Sequence, residues 1–343
     1  MIKKLSAAWE NHSLNHAVGN TPLIYLKHLS KATGNHLLVK AEYLLPGGSI
    51  KDRTSLGLIQ HLERSGRLKP GMTLYEGTAG NTGIGLATLA PHLGYQVHIV
   101  MPDNQSAQKY ELLRLLGAKL TLVPAVPFSN PHHFYHTAKN LAAMDPLGVW
   151  VDQFENPGNW RYHYEHTATE IWQQTGGQLD FFGASCGTGG SLAGVSRFLK
   201  EQNPQITCYL FDPEGSGLAQ YVRTGQFQTQ GQSLTEGIGI MRLTHNFSQA
   251  RVDGAWTISD HKLGLMLAYL AKHEGLFVGL SSALNVFGLY QWSILHRDQG
   301  KVGLTWICDH GSRYSEKVQK LLSSVSGIPL LEQLEKSVTL SDL

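Results

Sequence analysis

Cysteine is scarce in this chain: Cys186, Cys208 and Cys308 are the only three in 343 residues, and their spacing offers neither a disulfide framework nor a Cys-x-x-Cys metal pair. Charge is sparse too. With 16% charged residues and a formal net charge of +2, the chain projects no field toward nucleic acid or an anionic membrane. No apolar run approaches the roughly 20 residues needed to cross a bilayer. Met1-Ile2-Lys3-Lys4 is followed by Glu10, Asn11, His12 and Asn15 where a secretory signal would have an apolar core. Internal repeats and low-complexity tracts are also lacking. These absences lead to the expectation of a cytoplasmic protein acting on a small molecule, with no nucleic-acid, membrane or metal partner.

What is present is the composition of an ordinary globule, 42% hydrophobic, and a length natural for two domains. Short apolar runs alternate with helix-compatible stretches, the pattern of βα units around a largely parallel sheet. The pattern predicts strands at 36–43, 96–101, 119–123, 179–184, 207–211, 276–280 and 302–308. It predicts helices at 54–65, 82–93 and 105–116, the last two stopped by Gly94 and Gly117. Four prolines between 124 and 146 break this pattern, and the domain boundary is expected near Gln153. The expected division is 1–152, 153–322 and a tail at 323–343, in which Leu330, Leu331, Leu334 and Val338 have near-helical spacing.

Chemistry enters with Lys51, in Gly47-Gly48-Ser49-Ile50-Lys51-Asp52-Arg53. A lysine amine can condense with an aldehyde cofactor, although a lone lysine in a Gly-rich turn is ordinarily a solvated charge. Three other segments give it context. In 179–192 a strand runs into Cys186-Gly187-Thr188-Gly189-Gly190-Ser191 and then a helix, which can cup a phosphate in backbone N–H groups, hydroxyls and a helix end. A dinucleotide fingerprint would need glycine at Leu192, and no Gly-Lys-Ser/Thr follows for a P-loop. A tight turn without chemistry is the alternative. The second segment, Glu76-Gly77-Thr78-Ala79-Gly80-Asn81-Thr82-Gly83, offers hydroxyls and free N–H groups to a carboxylate, or is a plain helix cap. The third, Gly279-Leu280-Ser281-Ser282-Ala283, places a serine where it could bond a pyridine nitrogen without protonating it, or again cap a helix.

Taken with Gly19-Asn20-Thr21-Pro22-Leu23, Gln153-Phe154-Glu155-Asn156-Pro157 and Glu236-Gly237-Ile238-Gly239, these motifs in this order resemble the cysteine synthase and cystathionine β-synthase family. Its members are fold-type-II pyridoxal-phosphate enzymes, and the chain looks most like a cysteine synthase. The resemblance implies two three-layer α/β domains with mostly parallel twisted sheets, the cofactor in the cleft between them, and the first ~40 residues able to cross to the other domain. It implies that Lys51 carries pyridoxal 5'-phosphate and then serves as the Cα base. Asn81 would contact the ring hydroxyl, Gly187, Thr188, Gly189, Gly190 and Ser191 the phosphate, and Ser281 the ring nitrogen. Thr78, Ala79, Gly80, Thr82, Gln153 and Gly237 would line the substrate. The implied reaction is β-replacement, O-acetylserine and sulfide giving cysteine and acetate, in a homodimer open to a serine acetyltransferase C-terminal peptide.

The chain departs from the commonest family pattern at Ala79, where a serine is usual, at Ala283, where a glycine is common, and at Met241-Arg242-Leu243. Loss of the hydroxyl at Ala79 removes about 1 kcal/mol of hydrogen bonding and leaves the substrate open. Arg242 could meet a carboxylate on a second substrate or lie on the surface, the reading favoured here. Another activated serine, another nucleophile such as homocysteine or ammonia, and a catalytically weak partner-binding paralogue are the alternatives. Three further motifs are read blandly. His132 and His136 form a surface cluster without a metal-site carboxylate, Cys186 is a small buried residue, and Gly183-Ala184-Ser185-Cys186-Gly187 is a chance match to a hydrolase elbow.

Overall fold

The computed structural model describes residues 13–325, 327 and 329–338. The N-terminal run from Met1 to His12, read above as unlike a secretory signal, lies outside them, as do residues 339–343 of the tail. Strands form at β1 (Leu23–Tyr25), β2 (His36–Ala41), β3 (Thr73–Gly77), β4 (Gln96–Pro102), β5 (Lys119–Val123), β6 (Gly148–Trp150), β7 (Phe181–Ser185), β8 (Thr207–Pro213), β9 (Gly254–Ile258) and β10 (Val302–Ile307). The described residues divide into two compact units, one holding 13–20 and Leu45–His163, the other holding Thr21–Leu44 and the described residues from Tyr164 onward.

The first unit is built on a four-stranded sheet in the order β5-β4-β3-β6, parallel throughout. Its central strands are buried on both faces, as a parallel sheet requires, with Leu74, Ile99, Val100 and Met101 fully enclosed. The helices Lys51–Arg64 and Asn81–Leu89 cross closely because Gly85 has no side chain: a Cβ there would stand 2.6 Å from Ser55 Oγ and 3.0 Å from the Lys51 carbonyl oxygen. Close approach also explains where the unit ends. A Cβ on Gly158 would lie 2.5 Å from the Gly57 carbonyl, so the short helix Gly158–Tyr162 packs backbone to backbone on Lys51–Arg64. The division therefore falls after His163 and not at the expected 152/153.

In the second unit the six-stranded sheet runs β1-β2-β10-β7-β8-β9, with only β1 antiparallel. Helix Leu280–Leu295 is buried from Leu280 to Ser293, and its apolar residues on every side mark it as a central core element. Phe181 stacks on Trp292 with centroids 4.6 Å apart, and Phe211 lies parallel to Trp256. The tail contributes to this core. Helices Ser315–Ser324 and Leu330–Ser337 bury Val318, Leu321, Leu330 and Leu334.

One expected strand is absent. Residues 276–280 make a single bridge, Val278 to His310, and then enter helix Leu280–Leu295. Gly275, at φ +70°, ends the π-helical turn Leu270–Glu274, and Leu276 N–H bonds back to the Leu270 carbonyl, so the run is a connector. Conversely, β1, β6 and β9 were not among the predicted strands.

Candidate active site

Lys51 is the first residue of helix Lys51–Arg64, and the turn before it is closed by the helix's own second residue. Asp52, fully buried, accepts from Gly47 N–H at 2.6 Å, and a Cβ on Gly47 would collide with that carboxylate. Gly48 takes φ +76°, and Ser49 Oγ accepts from Lys51 N–H at 3.3 Å. The Pro-Gly-Gly-Ser string thus serves to set one side chain at the head of a helix. Lys51 Nζ, half-buried, has no hydrogen-bond or ion-pair partner among the described residues.

The segment 77–82 lies in the same unit. The close contact of Gly85 with Lys51 and Ser55, together with the Ser55 Oγ bond to the Thr82 carbonyl at 3.3 Å, brings the two helix starts side by side. The plain-cap alternative fails here. Gly80 is the N-cap of Asn81–Leu89, and no side chain caps it. Thr78 Oγ1 accepts from Gly80 N–H at 3.2 Å, which leaves its own hydroxyl hydrogen uncommitted, and the Ala79 and Thr82 amides meet no acceptor among the described residues. These donors at a helix start suit a carboxylate. Gln153 and Thr82 differ from expectation. Thr82 Oγ1 donates to Gln153 Oε1 at 2.7 Å, while Gln153 Nε2 donates to Glu76 at 3.0 Å and to the Gly77 carbonyl at 3.3 Å. Gln153 is 4% exposed, so it braces the segment from behind.

Glu76, which has no role of its own in the sequence reading, lies directly behind this segment. It is fully buried at the end of β3 and accepts from the Gln153 backbone as well as its side chain. Burial, and then the neighbouring Asp152, push its carboxyl up to about 8 against the partial relief of the Gln153 bonds. A glutamate closing an apolar strand is the one available signal.

In the second unit, β7 delivers the loop 186–189 to helix Gly190–Gln202. Two of its glycines are obligatory. A Cβ on Gly187 would stand 2.1 Å from the Gly237 carbonyl oxygen, and one on Gly189, at φ +93°, would stand 2.5 Å from the Phe247 backbone. The helix start carries no side-chain cap, and the amides of Gly187, Gly189 and Gly190 and the hydroxyl of Ser191 meet no acceptor among the described residues. Gly237 therefore supports the loop through its carbonyl, and Gly239 N–H bonds to the Cys186 carbonyl at 2.8 Å. Ser281 is not a cap either. Gly279 is the N-cap of its helix, and the Ser281 hydroxyl, on a residue 8% exposed, has no partner in its unit. Asn285 on the same helix accepts from Ser185 N–H at 2.7 Å and so fixes the helix to the strand that feeds the loop.

Arg242 is half-buried between exposed Met241 and Leu243. The histidine cluster has local work: His133 Nδ1 accepts from Tyr135 N–H at the start of helix Phe134–Met144, and His136 Nε2 bonds the Phe128 carbonyl at 2.7 Å. Among the described residues no helix is long and apolar enough to cross a membrane.

Among the described residues, an unpartnered amine in the first unit and, in the second, unpartnered loop amides and a serine hydroxyl are the kinds of donor that pyridoxal phosphate requires, and these residues fit it. Residues 14–309 match the family described as "Pyridoxal-phosphate dependent enzyme". The chain belongs to that family. It is 45% identical to cysteine synthase 1 of Emericella nidulans over 90% of this chain and 84% of that protein. It is 43% identical to the cysteine synthase of Dictyostelium discoideum over 88% and 82%. Among solved structures it resembles the O-acetylserine dependent cystathionine β-synthase of Helicobacter pylori, with TM-score 0.80 and 32% identity over 89% of this chain and 97% of that one. It also resembles an O-ureido-L-serine synthase, with TM-score 0.82 and 30% identity over 94% and 98%. The expected α/β fold class and cofactor are thereby borne out.

Proposed function

We propose that this enzyme makes cysteine from O-acetylserine and sulfide, releasing acetate. The observation that carries the reading is the uncommitted Lys51 amine at a helix start packed beside the carboxylate-binding segment 78–82. The similarity to cysteine synthases supports it. When bound, pyridoxal phosphate supplies an aldehyde for the substrate amine and a sink for the electrons of Cα. Lys51 would hold the cofactor and, once released, take the Cα proton as general base and return it when the new Cβ–S bond is complete. The Thr78 hydroxyl and the Ala79 and Thr82 amides would orient the carboxylate, so that the Cα–H bond faces the base. The amides of Gly187, Gly189 and Gly190 and the Ser191 hydroxyl would hold the phosphate, Asn81 the ring hydroxyl, and Ser281 the ring nitrogen without a full proton. A homodimer in the cytoplasm, open to an acetyltransferase C-terminal peptide, completes the proposal.

Purified protein is expected to be yellow and to release cysteine from O-acetylserine and sulfide in preference to O-phosphoserine or serine, and to homocysteine or ammonia as nucleophile. Lys51→Ala should lower turnover by at least ~10²-fold, the ordinary worth of a positioned base. A colourless protein that bound an acetyltransferase peptide would overturn the enzyme reading, and a different preferred nucleophile would overturn the cysteine assignment.

A further inference from the structure

The carboxylate-binding segment is stiffened by a buried chain that starts on a residue without access to any ligand. Glu76 receives two donors from one residue, Gln153 N–H at 3.3 Å on Oε2 and Gln153 Nε2–H at 3.0 Å on Oε1. The second amide hydrogen of Gln153 goes to the Gly77 carbonyl at 3.3 Å. With both hydrogens directed to that side, the amide oxygen is the atom presented to Thr82. Thr82 then spends its only hydroxyl hydrogen on that oxygen at 2.7 Å. Asn159 adds a bond to the Gln153 carbonyl at 2.8 Å, so the backbone of Gln153 is held as well. Every member is nearly enclosed, Glu76 at 0%, Thr82 at 3% and Gln153 at 4% exposure, where a bond once lost is not replaced by water.

We propose that Glu76 is a positioning residue for the α-carboxylate of the amino-acid substrate: it locks the Gln153 amide, which in turn holds Thr82 and the helix start at 81–82 in their binding orientation. Thr82 thereby contributes its backbone amide to the carboxylate, and its hydroxyl serves as a brace. The inference rests on the proposed function only in taking segment 78–82 as an amino-acid carboxylate site.

The test is calorimetric titration of the holoenzyme with L-serine and with ethanolamine, which is serine without its carboxylate, alongside steady-state kinetics. Glu76→Leu keeps most of the volume but removes both acceptors from the Gln153 donors. It should weaken L-serine about tenfold, the scale of one buried hydrogen bond, and leave ethanolamine within about twofold. The KM for O-acetylserine should rise by a similar factor, with a smaller change in kcat and none in the KM for sulfide. Thr82→Val, which removes the brace from the other end, should do the same, and the double variant should be no worse than the poorer single one. Equal losses for L-serine and ethanolamine, additive effects, or unchanged L-serine affinity in Thr82→Val would overturn the proposal. If the wild type binds L-serine but makes no cysteine, the reaction assigned above fails, while the serine and ethanolamine comparison still decides the role of Glu76.

Discussion

At the scale of single residues, what was legible was chemistry written in small side chains. Lys51, Gly187, Gly189 and Ser281 stand in motifs whose glycines and hydroxyls exceed the needs of a turn, and their placement follows from backbone geometry that a sequence reader can foresee. Glu76 was not legible, because nothing in its sequence neighbourhood tells a buried carboxylate from a solvated one. Its titration gives a direct check. The folded protein keeps the Glu76 proton up to about pH 8, whereas the unfolded chain releases it in the ordinary carboxylate range. Its contribution to stability is therefore full below the ordinary range and is lost as pH rises through 8. Denaturant titrations of the wild type should show stability falling across that window relative to Glu76→Gln, and parallel pH profiles for the two proteins would refute the assignment. A second residue-scale expectation concerns Ser281. Aspartate there would hold the ring nitrogen protonated and strengthen the electron sink, so Ser281→Asp should raise the yield of keto-acid by-product from O-acetylserine. An unchanged yield counts against the ring-nitrogen role.

Elements were legible where periodicity and glycine stops agreed, as in β5 and the helix before Gly117. They were not legible where a tertiary bond decided. Residues 276–280 have a strand's composition, yet the chain there is committed to the Leu270 and Asp309 carbonyls through Leu276 and Gly279, so no ladder forms. Three-residue β6 is too short to leave any period. The loop 186–189 permits a sharp test at this scale. Gly189→Ala must accommodate a Cβ at φ +93° and 2.5 Å from the Phe247 backbone, so the loop has to open. Strain of this kind costs on the order of 1–3 kcal/mol. The variant should lower thermal stability and release pyridoxal phosphate on dialysis at least tenfold more readily than the wild type. Retention equal to the wild type would mean that the loop does not hold the phosphate.

On the scale of the whole molecule, the sequence reading foresaw two α/β units but placed their boundary too early, because the contact that extends the first unit to His163 is made by two glycines, Gly57 and Gly158, a hundred residues apart. The place of residues 21–44 in the second unit is secured by β2 pairing with β10 and by Lys40. Lys40 is fully buried and reaches Glu170 at 3.0 Å, Gln174 at 2.9 Å and the Thr21 carbonyl at 2.9 Å. Lys40→Ala leaves Glu170, at 14% side-chain exposure, without its cation and should destabilise the second unit by about 3–5 kcal/mol, read as a lower denaturant midpoint. A shift below about 1 kcal/mol would show that strand pairing alone holds the segment.

The pairing of β2 with β10 also sets an order of events as the chain leaves the ribosome. β2 ends at Ala41, its parallel partner begins at Val302, and β10 is also what joins β2 to β7. Every strand of the first unit is synthesised before residue 151, so that sheet can close early, while β2 must wait through more than two hundred further residues for its neighbour. The segment just upstream of Lys51 is thus made long before the neighbour it pairs with, and until β10 emerges that edge of an apolar strand stays open.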